Sequence, residues 1–88
     1  MAGRTIIPQA DLDLLVADQI NQRMAGSEIF TAYDITLALR DANPGFDIPH
    51  DAVRRSVHAQ MDTIVASSLY DRETASFGNA NALRYVPT

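Results

Sequence analysis

A firm helix stop at Asn43-Pro44-Gly45, with helix-forming sequence on both sides, constrains this chain more than any other feature. Proline removes a backbone donor, while asparagine and glycine favour turns, so the stop needs no tertiary support. The helix before it opens at Thr31, whose hydroxyl is followed three residues later by Asp34 in a capping-box-like pattern. The helix after it starts at Pro49, a favoured first residue, and continues to about Ala66. Its predicted apolar face consists of Val53, Val57, Met61 and Ile64. Two short helices joined by a turn are therefore predicted.

Another helix is predicted ahead of this pair, over about residues 10–24. One of its faces is apolar at 100° per residue and carries Leu12, Leu15, Val16 and Ile20. A second apolar strip, nearer the opposite side, carries Leu14, Ala17 and Met24. That strip needs a partner, which is either the rest of the same chain or a second copy in a homodimer. Gly26 is predicted to end this helix as a left-handed cap.

The C-terminal part of the chain has the chemistry of β-strands. Residues 69–74 and 82–86 alternate between apolar and polar side chains, which predicts two paired strands. The small polar segment between them has Gly78-Asn79 as its expected tip. A brief strand is also predicted near residues 28–30, between the first and second helices.

The order helix, strand, helix, helix, strand, strand resembles the winged helix-turn-helix superfamily. The resemblance covers residues 11–87 as one domain, with residues 1–10 as an extended N-terminal arm. It implies an α+β fold of three helices followed by a C-terminal two-stranded β-hairpin, the wing. In that superfamily the third helix usually enters the major groove of double-stranded DNA and the wing touches the adjacent minor groove or backbone. The implied DNA contacts are Arg54, Arg55 and His58 on the third helix, Asn79 and Asn81 in the wing, and Arg72 and Arg84 on the wing strands.

The charges support two different interpretations. The net charge is −4, whereas a nucleic-acid binder usually carries a basic surplus. Arginine nevertheless suits DNA, because its planar fork grips guanine or phosphate with two hydrogen bonds. Alternatively, Arg55 pairs with Asp51 and His58 pairs with Asp62, each four residues away, on a solvated face where such pairs contribute only ~0.2–0.5 kcal/mol. His50, beside a proline, is interpreted as a turn residue.

Two functions follow from these interpretations. The first is a small homodimeric DNA-binding protein that regulates transcription, with Leu14, Ala17 and Met24 as the dimer interface. The second is a winged-helix module that binds a protein partner, or only itself, without DNA. The acidic net charge favours the second, and the adjacent arginines of the third helix favour the first.

Other classes of function are disfavoured by the composition. The chain has no cysteine, and its two histidines are too few for a zinc centre by themselves, so no metal or cofactor is expected. No catalytic residue is predicted, because Ser67-Ser68 has no suitably placed base and the chain has no glycine-rich phosphate loop. With no apolar run of about 20 residues and no apolar core near the start, a cytoplasmic protein without membrane contact is expected.

Overall fold

The computed structural model describes the backbone of residues 5–77 and 80–88, and the side chains of these residues except 75–77 and 80–82. The elements in chain order are β1 (Thr5–Ile6), α1 (Gln9–Ala25), β2 (Phe30–Thr31), α2 (Ala32–Ala42), β3 (Phe46–Asp47), α3 (His50–Ala66), β4 (Tyr70–Phe77) and β5 (Ala80–Pro87). The predicted α+β class with three helices is confirmed. Within the described residues, no helix is long and apolar enough to cross a membrane.

The helices bury the faces that their periodicity predicts. α1 buries Leu12, Val16 and Ile20, and α3 buries Val53, Val57 and Met61. Two helices, α2 and α3, also bury polar side chains that apolar periodicity alone does not identify. These are Thr36 on α2, with no exposed surface, and Ser56 on α3.

One predicted helix end is confirmed by the structure and another is wrong. The capping box is confirmed, because Thr31 Oγ1 accepts from the Asp34 amide at 3.2 Å and Asp34 Oδ2 accepts from the Thr31 amide at 2.9 Å. The predicted left-handed cap at Gly26 is wrong. Gly26 has a φ of −91°, and Ser27 takes the left-handed conformation at 51°. The Glu28 amide donates to the Arg23 carbonyl at 2.9 Å, so the helix closes in a Schellman-type turn built one residue later.

Three strands form an antiparallel sheet in the order β2-β5-β4. β4 and β5 pair along their whole length and are longer than the segments 69–74 and 82–86 that alternation predicts. β2 pairs Phe30 with Tyr85 and Thr31 with Arg84, so it lies slightly later than the strand predicted near residues 28–30. The sheet therefore joins the segment before α2 to the C-terminal strands.

A second, parallel pairing joins the N-terminal segment to the connection between α2 and α3. Thr5 lies opposite Phe46, and Ile6 lies opposite Asp47. Ile7 then enters the core at 8% exposure, and α1 begins at Gln9. The described portion of the predicted extended arm thus contains the strand β1, the core residue Ile7 and the first two residues of α1.

The core lies between the three helices and the sheet. Phe30 is its aromatic centre, with ring centroids 5.8 Å from Tyr70 and 5.4 Å from Tyr85. Only 1% of Phe30 is exposed. Tyr70 also donates its hydroxyl to the Glu28 carbonyl at 2.9 Å, and burial raises the pKa of this phenol. These contacts hold β4 and β5 against the start of α2 and so fix the position of the strands relative to α3.

Candidate nucleic-acid interface

A groove of about 650 Å³ lies between α3 and the three-stranded sheet. The start of α2 forms one end of it, through Thr31, Ala32 and Tyr33. α3 forms one wall, and Thr74, Leu83 and Tyr85 form the other. The α3 wall consists of His50, Arg54, Arg55, His58, Ala59 and Asp62. The groove thus brings together the three residues of the third helix for which DNA contact was predicted.

Helix geometry explains why these side chains share one wall. Arg54, His58 and Asp62 follow one another at intervals of four residues, which places them on one face of α3. On that face Arg54 lies beside the buried Val57, and His58 and Asp62 lie successively further from the buried side of α3. The groove lining contains two arginines and one carboxylate, Asp62, and the neighbouring Asp51 pairs with Arg54 from outside the lining.

Most of the arginines predicted to contact DNA are paired with carboxylates. The pairs are Arg54 with Asp51 at 3.1 Å, Arg72 with Asp62 at 2.8 Å, and Arg84 with Glu73 at 2.6 Å. Asp51 pairs with Arg54, three residues away, and its alternative pairing with Arg55 does not form. Among the described residues, Arg55 makes no salt bridge and its side chain is exposed. Arg55 is therefore the cation best placed to take a new anionic partner.

The Arg54–Asp51 pair is weak enough to exchange. Its side chains are 60% and 70% exposed, and exposed pairs of this kind contribute little, typically ~0–1 kcal/mol. His58 Nε2 lies 3.8 Å from Asp62 Oδ1 in a similarly exposed setting. A phosphate or base acceptor entering the groove would thus displace little stabilising energy from Arg54.

Arg72 has a different environment from the exposed arginines. Its side chain is only 22% exposed, and its Nη2 donates to the His58 carbonyl at 3.2 Å and to Asp62 Oδ1 at 2.8 Å. Its guanidinium lies over the Tyr85 ring, 5.4 Å from the centroid. Arg72 therefore joins β4 and β5 to α3 behind the groove. This geometry favours a positioning role over the predicted phosphate contact.

The ionisation of the Arg72–Asp62 pair follows from these contacts. The hydrogen bond from Arg72 holds the pKa of Asp62 below its usual value, and the nearby His58 acts in the same direction. Partial burial disfavours the charge on Arg72, but the hydrogen bond to Asp62 and the contact with Tyr85 outweigh it and raise the pKa of Arg72. Both groups are thus charged at neutral pH.

The fold is expected to become less stable in acid, because protonation of Asp62 removes the stabilising contribution of its carboxylate. Because its folded pKa is lowered, its contribution is present above the unfolded value of about 3.9 and is lost as the pH falls through the folded pKa. Thermal unfolding between about pH 6 and pH 2 should show a smaller acid-induced loss in Asp62→Asn than in the wild type. The exposed-carboxylate control Asp71→Asn should follow the wild type. Identical profiles for wild type and Asp62→Asn would contradict the Arg72–Asp62 contact.

The remaining predicted site residues are spread over the molecule. Asn79 lies outside the described residues, and for Asn81 only the backbone position in β5 is described. On α1, Leu14 is 71% exposed and Ala17 is partly buried, whereas Met24 packs against this chain's own core. The second apolar strip of α1 is therefore divided between the surface and the interior.

Sequence reasoning missed His50 as part of the groove. It is the first residue of α3, and its Nδ1 lies 3.0 Å from Thr36 Oγ1. Its ring stands edge-on to Tyr33, with centroids 5.5 Å apart and planes at 84°. The available signal was Thr36, a hydroxyl on the inner face of an amphipathic helix, where a buried polar group requires a partner.

Comparison of the chain with protein-family models, with curated proteins and with solved structures finds no match. The function proposed below therefore depends on the topology of this chain and on the chemistry of its groove.

Proposed function

We propose that this protein is a small winged helix-turn-helix protein that binds double-stranded DNA and regulates transcription. In this proposal α3 is the recognition helix, and the antiparallel β4 and β5 are the wing. The element order and the sheet order β2-β5-β4 are compatible with that architecture. A helix such as α3 fits the major groove, which is about 12 Å wide.

The observation that carries the proposal is the concentration of cationic and hydrogen-bonding side chains in one groove of an acidic protein. Arg54, Arg55, His50 and His58 line it together, against the single carboxylate of Asp62. Elsewhere the net negative charge repels phosphates, so a nucleic acid is expected to approach this face. Arg55 has no salt bridge within the described residues, and Arg54 has only an exposed one.

The carboxylates beside the groove limit affinity for DNA of arbitrary sequence. Asp51 and Asp62 lie where a bound duplex would carry phosphates, and their repulsion offsets part of the arginine attraction. Specific base contacts by the arginines are then needed for tight binding. A protein with this charge distribution is expected to bind random DNA weakly and a preferred site much more strongly.

A salt titration tests the proposal. Binding to a labelled random duplex should be measurable at low salt and should weaken as the salt concentration rises. A plot of the logarithm of the binding constant against the logarithm of the salt concentration should have a slope of about −0.9 for each phosphate contacted. A slope corresponding to a few phosphates is expected from the few arginines at the groove. Absence of binding at the lowest salt would reject DNA as the ligand.

We also propose that the protein is a homodimer formed through the exposed part of α1. A dimer would place two α3 helices about one DNA turn, roughly 34 Å, apart. Sedimentation at micromolar concentrations should then show a dimer, and Leu14→Glu should convert it to a monomer. Leu69→Glu, at a residue 57% exposed, is the matched control and should leave the dimer intact. A wild-type protein that stays monomeric at high micromolar concentration would reject this part of the proposal.

A protein-interaction module is the second candidate function. It is favoured by a specific observation: Arg54, Arg72 and Arg84 are each neutralised by a neighbouring carboxylate. An acidic surface with internally satisfied arginines suits a protein partner better than a polyanion. The salt titration separates the two candidates, because this second function predicts no binding of duplex DNA at any salt concentration.

A further inference from the structure

The geometry points to His50 as a base-reading residue of the groove, one that presents Nε2 as a hydrogen-bond acceptor to an exocyclic amino group of adenine or cytosine. This inference rests on the proposed DNA-binding function. Its first premise is the tautomer of the His50 imidazole ring, which the surrounding hydrogen bonds determine.

The Thr36 hydroxyl fixes that tautomer. Thr36 Oγ1 lies 2.9 Å from the Ala32 carbonyl, which can only accept, so the single hydroxyl hydrogen is used there. Oγ1 must then be the acceptor in its 3.0 Å contact with His50 Nδ1. The Nδ1 atom therefore carries the proton of the neutral ring, and Nε2 is left with a lone pair.

Contacts with Thr36 and Tyr33 also fix the position of the His50 ring. Thr36 is fully buried, so water does not compete for its contact with His50. Tyr33 packs edge-on against the same ring. Within the described residues, Nε2 makes no hydrogen bond, and the ring lines the groove one helical turn before Arg54. The ring is thus preorganised for a ligand that supplies a donor.

The chemistry of Nε2 selects among the groups that DNA offers. Phosphate oxygens and the O6 and N7 atoms of guanine are acceptors, so a bare Nε2 cannot bind them. The adenine N6 amino and cytosine N4 amino groups are the donors of the major groove. His50 is the first residue of α3, and the N-terminal residues of a recognition helix are the ones that contact base edges. Arg54, a pure donor, complements His50 by preferring guanine.

The tautomer can be tested without DNA. Long-range proton–nitrogen NMR spectra of the imidazole groups at about pH 8 should show His50 protonated on Nδ1 alone. Thr36→Ser should keep this signature, and Thr36→Val should lose it. Protonation of His50 on Nε2 in the wild-type protein would overturn the inference at its first step.

Site selection from a randomised duplex library tests base reading. The wild type should prefer adenine or cytosine at one position by about two- to tenfold, the size expected for one hydrogen bond. His50→Ala and Thr36→Val should both lose that preference. Thr36→Val should still bind random duplex within about twofold of wild type, because Thr36 does not line the groove. Asn21→Ala, at an exposed position on α1 outside the groove, should retain the preference. An unchanged preference in His50→Ala would overturn this inference alone. Failure of every variant and of the wild type to bind any duplex would overturn the proposed function as well.

Discussion

Replacing Arg54 and Arg55 together by alanine is expected to weaken binding to duplex DNA by at least about tenfold, since each good arginine contact contributes about 1–3 kcal/mol. The loss arises because these are the two arginines of the groove lining, and neither is held in a buried contact. Fluorescence anisotropy with a labelled duplex across a salt series measures it. The dependence of binding on salt should also become weaker, with the magnitude of the log–log slope smaller by about one for each phosphate contact removed.

The double substitution also makes the protein more negative, so a charge-matched control is needed. Ala10→Glu combined with Asn21→Asp gives the same net charge from exposed positions on α1, which does not line the groove. At about 0.1–0.15 M salt, where the Debye length is about 8–10 Å, this control should bind DNA within about threefold of wild type, because added charges outside the groove are strongly screened. Equal losses in both double variants would mean that net charge, and not the groove, governs the affinity.

Removing a carboxylate beside the groove is expected to raise the affinity for DNA. Asp51→Asn removes the carboxylate that holds Arg54 at 3.1 Å and that would face the phosphates. DNA binding should strengthen by a few fold, since the lost pair is worth only about 0.2–1 kcal/mol and repulsion is relieved. An improvement is informative because damage to the fold cannot produce it.

The largest effect on stability is expected at Phe30. It is buried between Tyr70 and Tyr85 at the pairing of β2 with β5, and only 1% of it is exposed. Phe30→Ala should lower the free energy of unfolding by about 3–5 kcal/mol, because it removes a large ring and leaves a cavity. Folded domains have only about 5–15 kcal/mol in total, so this loss is a large fraction of the stability.

Denaturant unfolding followed by circular dichroism measures this loss. Leu37→Ala is the matched control, since Leu37 is 46% exposed on α2 and should change the stability by no more than about 0.5 kcal/mol. A loss at Phe30 as small as that at Leu37 would contradict the role of the aromatic cluster in holding the sheet against the helices.

Features with a local cause were predictable from the sequence. The capping box at Thr31 and Asp34 involves neighbouring residues, and the buried face of α3 repeats with the helical period. The outward position of Arg54 and Arg55 follows from the same period. These features needed only propensity and spacing, so the third helix and the exposure of its two arginines could be predicted locally, while their role in DNA binding stays a prediction.

Features that depend on packing between elements were not predictable. The pairing of Thr5 with Phe46 joins two strands of two residues each, too short to show alternation. Spacing alone could not decide which arginine pairs with Asp51, because positions three and four residues away are both neighbours on a helix. In the structure the partner is Arg54. The contact of His50 with Thr36 depends on how α2 packs against α3.

An NMR titration of the isotopically labelled protein with duplex DNA at low salt tests the DNA-binding proposal most directly. The proposal predicts that the largest amide shifts fall on Arg54, Arg55 and His58 and at the start of α2, with smaller shifts at Thr74 and Leu83. Amides around Leu14 on α1 should be unaffected when the oligomeric state is unchanged. Shifts centred on α1, or no shifts at a several-fold excess of DNA, would contradict the assignment of this groove as a nucleic-acid interface.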